Sequence, residues 1–294
     1  MSRYCLILLL VISFALSGCA TAYNPATGQN EFIFIGTPAE VSLGKAVATK
    51  VSTQYKISND QEKIKRLNKI GAKLAKVSDR KDLKYIFSVI EDKELNAFAT
   101  PGGYIYVNSG LIEESTDDEL ACVVGHEVGH VAARHIVKKL QAKIGYDILM
   151  NIAAQRAGLG ELRQAASISY NLITLGYSRK DELLSDRLGV KYAHKAGYDP
   201  RAMITFLEKL EKKDKEGKGI LFLRTHPYAS QRIKMLKKEI PIIIDKTSNA
   251  SEQKITNLAP ESNKKQPLKV MCPVCRKIYS GRTSFCPYDG TKLE

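Results

Sequence analysis

The chain has 294 residues, of which 44% are hydrophobic and 26% are charged. This composition excludes collagenous, coiled-coil and largely disordered proteins, and the length is enough for a sizeable core. The formal net charge of +14 suits an anionic partner surface, but most lysines are scattered along predicted helices, which favours solvated helix faces over a dedicated binding surface. No basic-aromatic motif accompanies the charge, so we do not expect nucleic acid as a partner. Six cysteines are too few for a disulfide scaffold at this length.

The beginning of the chain has the pattern of a secretory signal. Residues 4–16 form an apolar run behind Arg3, which is shorter than the roughly 20 residues that cross a bilayer and fits a signal peptide. Leu16-Ser17-Gly18-Cys19 then resembles the bacterial lipoprotein cleavage box. The resemblance implies that residues 1–18 are removed and that acyl chains on Cys19 anchor the protein. The alternative is an ordinary cleavage site with an incidental cysteine.

The destination of the lipoprotein is indicated by the residue after the lipidated cysteine. Ala20 is not the aspartate that resembles an inner-membrane retention signal in enteric bacteria. We therefore expect an outer-membrane lipoprotein that faces the periplasm.

A helix and a small sheet are the first elements predicted after the signal. Residues 59–77 repeat apolar residues at steps of three and four behind Asn59-Asp60, which is typical of a capped amphipathic helix. Residues 84–90 are rich in β-branched and aromatic types and predict a strand. Two short strands are predicted around a glycine turn, at 95–100 and 104–107.

The rest of the large domain is predicted to be helical. One helix begins near Ser115 or Thr116, where Asp118 and Glu119 are placed for a capping box, and runs towards Leu140. The further helices are a mostly helical stretch 141–176 broken at Gly158 and Gly160, one from Ser178 to about His194, one starting at Asp199-Pro200, and an amphipathic one after Pro227. Residues 246–269 are polar without an apolar period and predict a linker before a cysteine-bearing module at 270–294.

The strongest chemical signal is His126-Glu127-Val128-Gly129-His130, within the helix that begins near Thr116. Residues i and i+4 share one helix face, so His126 and His130 can bind one metal ion. Glu127 lies beside that ion, where it can take a proton from a metal-bound water. The surrounding valines predict burial, and two buried histidines beside a buried glutamate would be costly without a metal or partners. The pattern therefore favours a metal centre over a coincidental helix surface.

A catalytic zinc site usually has three protein ligands and an open position. The motif with a third histidine requires Gly and His where this chain has Ala133 and Ile136, so that class is excluded. Glu182 and Asp186 are also four residues apart on a predicted helix. Glu182 can complete a His₂Glu site while Asp186 orients a ligand imidazole. For an isolated acidic pair, a solvated helix face is the alternative.

Together these motifs resemble the gluzincin zinc metalloendopeptidase family that includes HtpX, BepA, OMA and the CAAX prenyl endopeptidase. The match covers about residues 30–240 in the family's order. Its segments are Asn96 to Gly103, His126 to His130, Gly176 to Arg179 with Glu182 and Asp186, Ala196 to Pro200, and Thr225-His226-Pro227 with Arg232. One departure is Leu184-Ser185, where the family more often has a residue followed by alanine, but both acidic positions are kept.

The resemblance implies an α+β fold, mostly helical and zincin-like, with a small β-sheet beside the HExxH helix, over residues 19–245. It implies that His126, His130 and Glu182 hold Zn²⁺ and that Glu127 is the general base that delivers water to a peptide carbonyl.

The resemblance also implies a substrate-binding strand edge over 96–107, to which extended chain adds by backbone hydrogen bonds. Its candidate residues are Asn96, Ala97, Phe98, Gly102 and Gly103, although the two glycines also fit a simple tight turn. This mode of binding predicts broad sequence tolerance and a preference for unfolded or misfolded protein.

Four further residues lie near the predicted site, and the roles of two of them are left between alternatives. In relatives, the histidine equivalent to His226 lies near the zinc ion and can occupy the open coordination position of the metal. In this chain, His226 could instead stabilise the oxyanion or be an ordinary hydrogen-bonded loop histidine. For Arg232 there are two alternatives: an ion pair with an active-site carboxylate, or a structural role in capping this region of the chain. His135 lies about 180° round the predicted helix from His126 and is not expected as a ligand. Cys122 is expected to pack in the core rather than to act in redox or metal chemistry.

The C-terminal module resembles a zinc-ribbon tail. Cys272, Cys275 and Cys286 are followed by Asp289, which takes the place of a fourth cysteine and would complete a second, structural Zn²⁺ site. The competing structure is a Cys272–Cys275 disulfide, because the periplasm oxidises exposed thiols. We expect the module to bind a protein partner rather than to catalyse.

These observations predict a membrane-anchored periplasmic zinc endopeptidase that acts on misfolded or unassembled envelope proteins. The quality-control role is implied by the resemblance alone. Two other functions stay open: a chaperone or assembly factor whose metal site is mostly shut by His226, and a metal-binding interaction protein that uses the C-terminal module.

Overall fold

The structure is a computed structural model that describes residues 21–258, 269–271 and 278–280. The chain divides into two compact units, Met1–Asp245 and Lys246–Glu294. The predicted lipidation residue and the predicted tail ligands lie outside the described residues; they are Cys19, Cys272, Cys275, Cys286 and Asp289. The domain boundaries stay predictions.

The first unit contains five described strands, which are β1 (Thr21–Asn24), β2 (Gln29–Phe32), β3 (Ile86–Ile90), β4 (Ala97–Thr100) and β5 (Tyr104–Asn108). Its helices are α1 (Thr37–Gln54), α2 (Gln61–Val77), α3 (Ser109–Glu114), α4 (Asp117–Ala132), α5 (His135–Gln141), α6 (Tyr146–Ala153), α7 (Leu159–Thr174), α8 (Arg179–Lys195), α9 (Ala202–Lys213) and α10 (Leu221–Thr225). A further helix, α11 (Ala229–Leu258), begins in the first unit and ends in the second. In the second unit, β6 (Lys269–Met271) pairs antiparallel with β7 (Ile278–Ser280).

A three-stranded sheet lies beside the helices in the order β3-β5-β4. Strand β3 runs parallel to β5, whereas β4 runs antiparallel to β5 and forms an edge of the sheet. The turn Pro101–Gly103 joins β4 to β5, as the sequence predicts. The mostly helical architecture with small sheets confirms the predicted α+β class.

Two predicted helix starts are confirmed by their caps. The Asp60 carboxylate accepts hydrogen bonds from the backbone N–H groups of Glu62 and Lys63 at the start of α2. At the start of α4, Thr116 and Glu119 form the predicted capping box, in which each side chain accepts from the other's backbone N–H. These local contacts fix where the helix that carries the HExxH motif begins.

Helices α4 and α8 approach closely because glycines occupy their contact. A Cβ on Gly125 would lie 2.8 Å from the carbonyl oxygen of Gly189, and a Cβ on Gly189 would lie 2.6 Å from the backbone nitrogen of His126. No larger side chain fits either position without movement. The absence of side chains here brings the helix of Glu182 directly against the HExxH helix.

The prediction that the HExxH helix continues towards Leu140 is wrong. Helix α4 ends at Ala132, and Arg134 has a φ of 56°, in the left-handed region. The Arg134 guanidinium donates to the carbonyl oxygen of Ile35 at 3.2 Å and pairs with Glu40 at 3.2 Å. These contacts with the N-terminal part of the chain hold the break, and α5 begins at His135 in a new direction.

Other differences from the sequence predictions lie outside the site. Strands β1 and β2 and helix α1 lie between the signal and residue 59, where the sequence pattern predicts no element. Helix α9 begins two residues after Pro200, and α11 continues past Pro241 to Leu258, so the first part of the predicted linker is helical. Among the described residues, no helix combines the length and the apolar character needed to cross a bilayer.

Candidate metal centre

The predicted ligands are brought together in the interior of the first unit. His126 and His130 come from α4, Glu182 comes from the first turn of α8, and His226 directly follows α10; all four are buried. Their ligand atoms lie within 4.8 Å of one another, the one such cluster found among the described residues.

The distances define a converging donor set. The Nε2 atoms of His126 and His130 are 2.9 Å apart, and Oε1 of Glu182 lies 3.3 Å from Nε2 of His130. The second carboxylate oxygen of Glu182 lies 3.5 Å from Nε2 of His126. Two imidazole nitrogens and a carboxylate are the donors that zinc takes in His₂Glu sites. The residues therefore fit the metal implied by the sequence.

Glu127 is fully buried next to this donor set. Neither of its carboxylate oxygens accepts a hydrogen bond from the described residues, and its nearest cationic neighbour is Nε2 of His226 at 3.5 Å. Burial raises the pKa of the Glu127 carboxyl above its ordinary value, against the opposing effects of His226 and His126. A buried carboxyl without a hydrogen bond is costly in a protein interior, and a buried carboxyl with a shifted pKa marks a candidate for proton transfer.

His126 is held in position by a carboxylate. Its Nδ1 donates to Oδ1 of Asp186 at 2.8 Å, which leaves Nε2 free to bind a metal. Arg232 donates two hydrogen bonds of 2.7 Å to Asp186 and contacts Oε2 of Glu182 at 2.9 Å. Arg232 thus pairs with both acidic residues at the base of the site.

The neighbouring positive charges determine the ionisation of Asp186 and Glu182. Burial alone would raise the pKa of each carboxyl, but the positive charge of Arg232 lowers the pKa of Asp186. His226 and Arg232 together hold the pKa of Glu182 well below its ordinary range despite burial. Both side chains are therefore carboxylates at neutral pH.

His226 closes the remaining side of the cluster. Its Nδ1 lies 3.1 Å from Oε1 of Glu182 and 3.3 Å from Nε2 of His126, and its Nε2 lies 3.4 Å from the carbonyl oxygen of Ala97. Burial lowers its pKa, but the charges of Glu182 and Glu127 outweigh that effect and raise it. The ring therefore lies where a fourth ligand or a substrate carbonyl would be.

His135 is a residue whose position the sequence reasoning missed. It is outside the ligand cluster, as expected, but the stated reason was wrong because the helix breaks at Arg134. The Nδ1 atom of His135 lies 2.9 Å from Nδ1 of His130 and 3.3 Å from the hydroxyl of Ser185, and its Nε2 lies 3.5 Å from a carboxylate oxygen of Asp181. No glycine or proline marks this break, so the local sequence gave no signal for it.

Tyr177 is a second missed residue. Its ring centroid lies 3.7 Å from that of His130 and 5.6 Å from that of His226, and its hydroxyl has no hydrogen-bond partner among the described residues. The ammonium group of Lys139 lies 4.2 Å from the centre of the Tyr177 ring and donates to the carbonyl oxygen of Gly176. Burial, with the charge of Glu127, raises the pKa of the phenol well above its ordinary value.

The predicted substrate edge is β4. The N–H of Asn108 donates to the carbonyl oxygen of Asn96, and hydrogen-bonded pairs alternate along an antiparallel ladder. The backbone groups of Ala97 and Ala99 therefore point away from β5. Ala97 faces His226, so the outer edge of β4 lies along the metal cluster.

The other predicted substrate residues have structural contacts. Phe98 is buried and its ring lies 5.1 Å from that of Tyr106, while Asn96 accepts a hydrogen bond from Thr225. Gly102 and Gly103 have φ values of 76° and 89° and are buried, and a Cβ on either would lie about 3 Å from backbone oxygens of neighbouring segments. The positive φ values and the close neighbours fit a tight turn at both glycines, and their role in substrate binding stays a prediction.

Cys122 packs in the core, which confirms the expectation for it. The side chain is fully buried, and its sulfur contacts the carbonyl oxygen of Asp199 at 3.5 Å. Burial raises the pKa of its thiol.

Comparison with known proteins supports the reading of these motifs. The model of peptidase family M48 matches residues 61–240, which include all of the cluster. The metalloprotease LoiP of Escherichia coli is 31% identical over 60% of this chain and 71% of LoiP. The mitochondrial metalloendopeptidase OMA1 of Schizosaccharomyces pombe is 26% identical over 74% of this chain. The beta-barrel assembly-enhancing protease of Escherichia coli is 27% identical over 71% of this chain.

The chain spans only part of some of these relatives. The matched region covers 45% of the Escherichia coli beta-barrel assembly-enhancing protease and 66% of the Schizosaccharomyces pombe protein.

Proposed function

Because the chain belongs to peptidase family M48, we propose that it is a zinc-dependent endopeptidase of the bacterial cell envelope that cleaves misfolded or unassembled proteins. Membership of the family confirms the predicted family and its metallopeptidase class. The observation that carries the proposal is the convergence of His126, His130 and Glu182 beside the buried carboxyl of Glu127, which accepts no hydrogen bond from the described residues.

In this proposal His126, His130 and Glu182 hold the zinc ion. When bound, zinc supplies Lewis-acid chemistry that makes water nucleophilic near neutral pH and polarises the peptide carbonyl. Glu127 accepts the proton from the attacking water and returns it to the leaving amine. Burial raises the pKa of Glu127, which strengthens it as a proton acceptor.

Substrate binding is assigned to the outer edge of β4. An extended chain can add to this edge through the backbone groups of Ala97 and Ala99, which matches the chain without reading most of its side chains. This mode supports a preference for unfolded or misfolded proteins. His226 lies over the same edge, so substrate entry requires it to move.

The envelope location is supported by the sequence and by the relatives. The proposed signal peptide and lipid on Cys19 would anchor the protein to a membrane, with the outer membrane favoured and the catalytic unit in the periplasm. A relative's name, beta-barrel assembly-enhancing protease, links that protein to beta-barrel assembly. Detergent partitioning that is lost in Cys19→Ser would support the anchor.

We also propose that the tail binds a second zinc ion or a protein partner.

A second candidate function is a chaperone whose metal site is mostly shut. The observation that favours it is the burial of all four cluster residues, with His226 filling the remaining side. In that case the protein would bind unfolded chains along β4 and release them uncut.

The deciding experiment compares the wild type with Glu127→Gln on fluorescently labelled, unfolded casein. We expect cleavage to fall about 100-fold or more, because general-base catalysis contributes about 10² to 10⁴ to such rates, while zinc content is unchanged. Glu62→Gln makes the same chemical change on an exposed residue and should cleave normally. A Glu127→Gln variant that cleaves at the wild-type rate would refute the mechanism. A wild type that binds casein without cutting it would favour the chaperone.

A further inference from the structure

The N-terminal hairpin of β1 and β2 has one face turned towards the body of the protein. Asn24 is buried, and Glu31 pairs with Lys138 of α5 at 2.6 Å. Just after β2, the side chain of Gln141 accepts hydrogen bonds from the backbone N–H groups of Phe34 and Ile35. The hairpin is therefore fixed to the first unit along this face.

The opposite face of the hairpin is aromatic and exposed. Tyr23 is 64% exposed, Phe32 is 63% exposed and Phe34 is 43% exposed. Tyr23 pairs with Asn30, and Phe32 lies two residues further along the same strand, so both side chains share a face. Phe34 follows with the same alternation, because the intervening Ile33 is buried. Soluble proteins rarely leave neighbouring large apolar side chains exposed without a partner.

This aromatic face carries no charge. The hairpin from Thr21 to Phe32 contains a single charged residue, Glu31, and that side chain is paired on the opposite face. An uncharged face of tyrosine and phenylalanine suits the boundary between lipid headgroups and acyl chains, where aromatic rings gather in membrane proteins.

The position of the hairpin along the chain indicates what it meets. Cys19 precedes Thr21 by two residues, so their Cα atoms are at most about 7 Å apart. If Cys19 carries the lipid, as the proposed function states, the start of β1 cannot be further than this from the membrane surface. Phe32 pairs with Thr21, so the aromatic face begins beside the lipid anchor with no intervening linker.

We propose that Tyr23, Phe32 and Phe34 insert into the headgroup region of the membrane that holds the Cys19 lipid. The hairpin is then a second, non-covalent membrane contact. Because the hairpin is fixed to α5, this contact sets the orientation of the catalytic unit relative to the membrane instead of leaving it free on its anchor. This inference rests on the lipidation that is part of the proposed function.

The chain contains no tryptophan, so one substitution gives a unique fluorescent probe. The full-length lipidated protein carrying Phe32→Trp is reconstituted in phosphatidylethanolamine–phosphatidylglycerol vesicles, with and without lipids brominated in the upper acyl chain. We expect the brominated lipids to quench most of the emission and aqueous iodide to quench little. The control Leu159→Trp places the probe at another exposed site, 74% exposed in the structure, and should show the reverse.

The outcomes separate this inference from the proposed function. Mass spectrometry of the N-terminus and casein cleavage test lipidation and catalysis independently of the fluorescence. Lipidated, active protein whose Phe32→Trp emission is quenched by iodide as strongly as that of Leu159→Trp would overturn the membrane contact. A further outcome is that the Phe32→Trp emission is protected from iodide only in native envelope fragments and not in pure lipid vesicles. That result would overturn the membrane contact as well, because the partner would then be a protein.

Discussion

The Nδ1 atoms of His130 and His135 lie 2.9 Å apart, although the two residues belong to different helices. His130 can bind a metal through Nε2 only if its proton is on Nδ1, and this proton is then donated to Nδ1 of His135. His135 must in turn carry its own proton on Nε2, which faces Asp181 at 3.5 Å. The two proposed histidine ligands are therefore supported differently: His126 by a carboxylate and His130 by a neutral imidazole.

This contact predicts a positioning role for His135. Removing the acceptor with His135→Leu should weaken zinc binding about 10- to 100-fold, the usual effect of losing a partner behind a metal ligand. His135→Gln keeps an acceptor and should recover part of the loss. The measurement is zinc affinity in competition with a chelator, with His194→Leu as a control outside the cluster. Wild-type affinity in His135→Leu would contradict the role.

Glu182 is predicted to be the third ligand. Glu182→Ala should lose most bound zinc during gel filtration with a weak chelator, because two imidazoles alone hold the ion poorly. The same change at the exposed Glu208 is the control and should retain the metal. Equal zinc content in the two variants would remove Glu182 from the ligand set.

His226 is predicted to restrain proteolysis. Its ring lies 3.3 Å from Nε2 of His126 and covers the edge of β4 at Ala97. His226→Ala should therefore raise the initial rate of casein cleavage by opening the ligand position and the strand edge. A lower rate with unchanged zinc content would show instead that the ring stabilises the oxyanion.

The contact between the two ligand-bearing helices is predicted to require glycine. Gly189→Ala should lower the free energy of unfolding by about 1–3 kcal/mol, because its Cβ would lie 2.6 Å from the backbone nitrogen of His126. Gly160→Ala, in α7 with no atom within 4 Å of its added Cβ, should be neutral or stabilising by up to about 1 kcal/mol. Urea unfolding of the zinc-free proteins checks both, and equal effects would show that the helix contact can relax.

The sequence by itself determined the relationships that span one turn of a helix. The spacing of His126 and His130 places both rings on one face, and the same spacing places Glu182 and Asp186 together on α8. The capping box at Thr116 is equally local. Such features depend on helix geometry alone, which is why they could be predicted without knowing how the helices pack.

Only the tertiary structure decided the contacts between distant segments. His226 reaches His126 across 100 residues, and Arg232 reaches Asp186 across 46, both through packing of whole helices. The position of His135 depends on Arg134, whose left-handed backbone is held by Ile35 and by other residues near the N-terminus. A helical periodicity cannot predict this break, because the interactions that stabilise it come from a part of the chain about 100 residues away.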